Sequence, residues 1–146
     1  MTIDKTPIDT AAIEHEYTRK ILAAFAEISQ VPRRSKHEEK IAKWLLEWAS
    51  RNKLEARTDA MNNVVIDVPA SPGYEESETL VIQGHMDMVC EKAKGSTHDF
   101  DSDPIELVFT QDGWLKANQT TLGADNGIAI AMAMVVALEE NVAHPN

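Results

Sequence analysis

The sequence predicts an α/β domain in which helices pack on a mixed sheet, and three observations predict it. Apolar residues recur at helical spacing over 11–30 and again over 41–48. Short runs rich in β-branched residues bracket two turn-like segments, Asp59-Ala60-Met61-Asn62-Asn63 and Gln111-Asp112-Gly113. A third apolar run ends at Gly84, just before His85. The resulting order, ααββ, loop, β, ββ, α, is that of helices layered on a sheet. At 146 residues the chain suits one domain.

Residues 1–10 read as a loose arm, and 11–146 as the domain. From Ala11 to Gln30, Ile13, Tyr17, Ile21, Phe25 and Ile28 line one helical face, and Val31-Pro32 ends it because a residue before proline avoids the helical region. Ser35 to Glu38 spells S-x-x-E, which predicts a capping box opening a second helix. Ile41, Trp44, Leu45 and Trp48 form its apolar stripe, so both tryptophans are core residues. Leu54–Thr58 and Val64–Val68 are predicted to pair as a hairpin, followed by a polar loop over Pro69–Ser77. Thr79–Gln83 reads as a buried strand with His85 and Asp87 at its C-terminal end, where ligand sites in open α/β sheets gather. Ile105–Thr110 and Trp114–Ala117 form a second hairpin. Ile128–Glu140 is apolar almost all round, which predicts a helix buried on most sides. With Ala143-His144-Pro145-Asn146 directly after it, its outer faces have nothing to cover them, so the domain is expected to be truncated.

The formal charge is 14 − 24 = −10, which repels phosphate backbones and disfavours nucleic acid as a partner. The best basic cluster, Arg33-Arg34-Ser35-Lys36, is followed by Glu38 and Glu39 and reads as a solvated helix start. Cys90 is the one cysteine, so no intrachain disulfide forms, and it is expected to be a small buried side chain. Met1–Pro7 has no apolar core of a signal peptide, and the longest apolar run, Ile128–Leu138, has 11 residues, too few to span a bilayer. A cytoplasmic location without membrane association is expected.

The chemistry concentrates at His85-Met86-Asp87. A metal-binding imidazole needs its second ring nitrogen held by an acceptor, usually a carboxylate. Residues two apart on an extended chain share a face, so Asp87 can reach His85, and Gly84 allows close backbone approach. Forty residues on, Asp125 stands between Gly123 and Gly127 at the mouth of the apolar helix. Two readings are open for it: helix N-cap, or metal ligand. Taken with His85, the second makes the pair half of a dinuclear metal site. Other motifs fail. His37-Glu38-Glu39-Lys40-Ile41 lacks the second histidine of H-E-x-x-H. Asp99, Asp101 and Asp103 imitate an EF-hand start, but Pro104 and Thr110 stand where Gly and Glu are needed. His15 and His37 read as surface groups. No nucleophile elbow, phosphate loop or dinucleotide fingerprint occurs.

Ile82-Gln83-Gly84-His85-Met86-Asp87-Met88-Val89-Cys90-Glu91-Lys92, His98-Asp99-Phe100, Asp103-Pro104-Ile105 and Thr120-Thr121-Leu122-Gly123-Ala124-Asp125-Asn126-Gly127-Ile128 together resemble the aminoacyl-histidine dipeptidases, the peptidase D or Xaa-His dipeptidase family of zinc-dependent exopeptidases. The likeness is clear over about 82–142 and looser over 11–70, and it falls on the family's N-terminal portion. It implies a zinc-exopeptidase-like catalytic domain acting on small peptides in the cytosol, with two zinc ions (manganese or cobalt as alternatives) and a homodimer in full-length members. By that resemblance His85 binds one zinc, Asp125 bridges both, and Asp87 serves catalysis by orienting His85 and assisting electrostatically. It also implies a non-proline cis peptide after the bridging Asp. Ala129 departs from the Gly common there in the family. The family's general-base Glu, its remaining metal ligands and its interface domain have no counterpart before Asn146, so the chain alone is expected to be inactive. A non-catalytic remnant, a metal-binding or interaction domain, and a related amidohydrolase or deacylase stand as alternative readings.

Overall fold

The computed structural model describes residues 13–146, and the arm expected over 1–10 lies outside them. Within them run helices α1 (Glu16–Ser29) and α2 (Glu39–Arg51), strands β1 (Glu55–Thr58), β2 (Val64–Asp67), β3 (Leu107–Phe109) and β4 (Leu115–Ala117), and helix α3 (Ala124–Leu138). The α/β class is as expected. The strands, however, pair as two separate antiparallel ribbons, β1 with β2 and β3 with β4, rather than as one mixed sheet among the described residues.

Helix α1 stops where Val31-Pro32 requires, and the His15 ring nitrogen accepts from Thr18 N at its start. The capping box does not form. Lys36 takes a φ of 70°, which reverses the chain between Ser35 and the helix, so α2 starts at Glu39 with no side-chain cap. The Glu38 carboxylate accepts from Lys36 N instead. The first hairpin is closed by Asp59, whose carboxylate accepts from Met61 N, Asn63 N and Asn63 Nδ2. These bonds, the Asn63 side chain first, hold the Asp59 carboxyl below its ordinary pKa.

The core lies where α1, α2 and α3 meet, around Phe25, Ile28, Ile41, Leu45, Trp48, Ala131 and Met134. Both tryptophans pack here, Trp48 buried and Trp44 against the cluster's edge. Helix α3 buries only one strip, Gly127, Ala131 and Met134, against α1, while Met132 and Leu138 are exposed. The sequence predicts burial on most sides, but most α3 residues are half-buried, because among the described residues α1 is the element packed most closely on it. Lys20 on α1 ties to Glu139 beyond the end of α3 at 2.5 Å.

The largest departure is at Thr79–Gln83. No strand forms there among the described residues, and Leu80, Val81 and Ile82 are 60%, 80% and 57% exposed. A strand exists only when a neighbour completes its ladder, and among the described residues this run has one backbone bond of that kind, Leu80 N to the Asn146 carbonyl at 2.8 Å. Its composition is right for a strand, but no strand pairs with it among the described residues.

Candidate metal centre

Two segments far apart in sequence are laced together to build the site. The arm after Gly84 is anchored at buried Met88, whose N–H donates to the Arg33 carbonyl and whose carbonyl accepts from Ser35 N. Farther along, the Thr121 hydroxyl donates to the Val89 carbonyl at 2.7 Å and accepts from Glu91 N, and Thr121 N donates to the Glu91 carbonyl. This lacing sets the His85 arm beside the turn that carries Asp125.

The turn itself depends on glycine. Gly123 precedes α3 at a φ of 70°, and a Cβ there would sit 2.5 Å from an Arg33 guanidinium nitrogen and 2.7 Å from Met88 Sδ. A Cβ on Gly127 would lie 2.9 Å from the Phe25 ring. A Cβ on Gly84 would meet Asn126 Nδ2 at 3.3 Å and the Ala129 methyl at 3.6 Å, so the bare backbone of Gly84 accommodates that methyl. The Asp125-Asn126 peptide bond is cis, as the resemblance implies.

At the centre, His85 Nδ1 lies 3.1 Å from Asp87 Oδ1 and 3.1 Å from the Asp87 carbonyl. His85 Nε2 lies 3.1 Å from Asp125 Oδ1. Asp87 is completed from the other side by the Ser35 hydroxyl, which donates to Oδ2 at 2.5 Å. The sequence-predicted trio His85, Asp87 and Asp125 is thus brought together. Asp125 is no N-cap: its φ and ψ of −90° and 102° break the first turn of α3, and its side chain is 95% exposed and turned toward His85.

The hydrogen bond to Asp125, and after it those to Asp87, raise the His85 pKa; the Ser35 hydroxyl foremost lowers that of Asp87. Both imidazole nitrogens face carboxylate oxygens, and a neutral imidazole has only one N–H to offer. A second proton or a cation would let both nitrogens engage their carboxylates at once. The 3.1 Å separation is that of a hydrogen bond, and two donors shared by one zinc would stand at a similar spacing. The donor chemistry and the orienting carboxylate fit zinc. The number of donors is short, since no group of three or more His, Cys, Asp or Glu side chains that could hold a metal occurs among the described residues.

Sequence reasoning missed three residues here. Arg33 is 2% exposed rather than solvated, and one of its guanidinium nitrogens donates to the Gly123 carbonyl at 2.9 Å. Burial holds its pKa below the ordinary value, and its Nε and second terminal nitrogen are unpaired among the described residues. The sequence points Ser35 to a capping box and gives Thr121 no role of its own. Nothing local marks any of the three, because each acts on a segment at least 30 residues away. Cys90 is half-buried, its Sγ donating to the Met88 carbonyl at 3.6 Å, and burial raises its pKa. The Asp99–Asp103 segment is a turn in which Asp99 accepts from Asp101 N and the Ser102 hydroxyl, while Asp101 pairs with Arg34 and its carbonyl accepts from Lys40 Nζ.

No protein-family model matches the chain. It is 42% identical over 120 residues to the cytosol non-specific dipeptidase of Escherichia coli (strain K12), a match covering 82% of this chain and 24% of that protein. Its structure superimposes on the crystal structure of aminoacylhistidine dipeptidase from Vibrio alginolyticus with a TM-score of 0.82 and 35% identity, covering 92% of this chain and 28% of that one. The chain thus spans about a quarter of the length of each. In sequence and in fold it resembles the N-terminal portion of the aminoacyl-histidine, or peptidase D, dipeptidases.

Proposed function

We propose that residues 11–146 are the N-terminal part of the catalytic domain of a dinuclear-metal dipeptidase that acts on small dipeptides such as aminoacyl-histidine. The observation that carries this reading is the alignment Asp87–His85–Asp125, in which one carboxylate faces each imidazole nitrogen. Asp87 keeps the Nδ1 proton in place, so Nε2 presents its lone pair toward Asp125. His85 would hold one metal and Asp125 both, with Asp87 acting through His85 rather than on substrate. When bound, two metals of this kind polarise a scissile carbonyl and lower the pKa of the attacking water. Zinc, with manganese or cobalt as substitutes, suits an imidazole-and-carboxylate set. The dipeptidase names of both relatives support the substrate class, and the name of the first supports a cytosolic setting. No helix among the described residues is long and apolar enough to cross a membrane. A homodimer, as in full-length members, belongs to the same reading.

The test is zinc titration of the 146-residue chain against His85→Ala and Asp125→Ala. Each substitution is expected to weaken binding by more than about 100-fold, beyond the range usual for groups behind the ligands. Equal affinity in all three proteins rejects the metal assignment. Because a catalytic zinc takes about three protein ligands, the unaltered chain is expected to bind weakly and to leave β-alanyl-histidine uncleaved. Turnover of that dipeptide by the purified chain would overturn the view that its catalytic domain is partial.

A further inference from the structure

Behind the metal centre, the hydroxyl of Ser35 has no helix to cap. Lys36 turns the chain away from α2, and Ser35 N and Oγ both face the His85 arm, at 3.2 Å from the Met88 carbonyl. Oγ lies closer still to Asp87 Oδ2, at 2.5 Å. Ser35 is half-buried, and its backbone is fixed by the main-chain bonds joining Arg33 and Ser35 to Met88. No other side chain among the described residues donates to Asp87 Oδ2.

We propose that Ser35 is a positioning residue for the metal centre: its hydroxyl holds one oxygen of Asp87, which turns the other oxygen onto His85 Nδ1 and aims Nε2 at Asp125. The proposal rests on the dipeptidase reading only for the metal itself; the alignment of the imidazole is a property of the chain. The terminal torsion of an aspartate is broad, so a hydrogen bond to one oxygen alone leaves the carboxylate plane loosely set. With both oxygens engaged, the plane of Asp87 is set and the tautomer of His85 with it. The adjacent Arg33 supports the same arrangement from the far side by holding the Gly123 carbonyl.

The experiment compares Ser35→Ala, Ser35→Cys and Ser35→Thr in the 146-residue chain by two readouts, the imidazole ¹⁵N shifts of His85 without metal and the zinc affinity. Alanine removes the donor, cysteine keeps the size but donates weakly, and threonine keeps the hydroxyl. Alanine and cysteine are expected to move the His85 shifts and to weaken zinc binding by about 10-fold, the lower end for outer-shell partners. Threonine is expected to restore both, which loss of packing alone would not allow. Unchanged His85 shifts in Ser35→Ala, or a threonine variant as defective as alanine, overturns the proposal. If the His85 shifts respond as expected while the unaltered chain binds zinc no better than His85→Ala and Asp125→Ala, Ser35 keeps its role and the metal assignment falls.

Discussion

Replacing Gly123 by alanine is expected to lower the stability of the fold by about 3 kcal/mol. Two costs combine. A residue with a Cβ held in left-handed backbone loses roughly 1–2 kcal/mol, and forcing atoms into a packed interior costs about 1–3 kcal/mol more. Both apply at Gly123, with its φ of 70° and its Cβ position 2.5 Å from the Arg33 guanidinium. Arg33 cannot step aside, because it is 2% exposed and bonded to the Gly123 carbonyl itself. In a chain of this length the loss corresponds to a melting temperature lower by about 10 °C. Thermal unfolding followed by circular dichroism measures it. A drop of less than about 1 kcal/mol would mean that the turn opens without disturbing Arg33 and Met88. Any displacement of this turn also moves Asp125, so the same variant is expected to lose zinc affinity.

Phe25→Ala is expected to cost more, about 3–5 kcal/mol. Phe25 is fully buried on α1, and its ring edge is where a Cβ on Gly127 would strike, at 2.9 Å. Its removal leaves a cavity directly beneath the first turn of α3. Since whole domains are stable by only about 5–15 kcal/mol, this one ring decides whether α3 stays docked. The cavity gives a sharper test than the single variant. Gly127→Ala is destabilising in the native background, yet with the ring gone its methyl has room on that side. The two substitutions are therefore expected to be non-additive, the second costing less in the presence of the first. Chemical denaturation of the two single variants and the double variant measures the coupling. Simple additivity would show that the Phe25 ring and the Gly127 backbone do not share the space assigned to them.

What the sequence reveals and what it hides divide along the range of the interactions. Helices α1 and α2 and both hairpins are legible because their evidence is local: Val31-Pro32 ends a helix, Ile41 to Trp48 marks a face, and Asp59 and Gly113 sit in the turns. The trio His85, Asp87 and Asp125 is legible through its motif contexts. Ser35 is misleading in sequence because a capping box and a bond to Asp87 start from the same residue, and only the φ of Lys36 tells them apart. Arg33 reads as solvated because a charged residue beside two more basic ones usually is; its burial depends on Gly123, 90 residues away. Leu80-Val81-Ile82 has the composition of an interior strand, but burial is a property of the surroundings. The apolar faces of α3 are overestimated for the same reason.

The open stretch at Leu80–Ile82 has one more effect, on how the protein behaves in concentrated solution. A run outside any strand among the described residues, rich in branched apolar side chains and with no charge between Thr79 and Gly84, is a template onto which another backbone can add. Crowding many copies together therefore favours cross-β aggregation seeded at this stretch. A lysine in place of Val81 would act as a gatekeeper against it without touching His85 or Asp125.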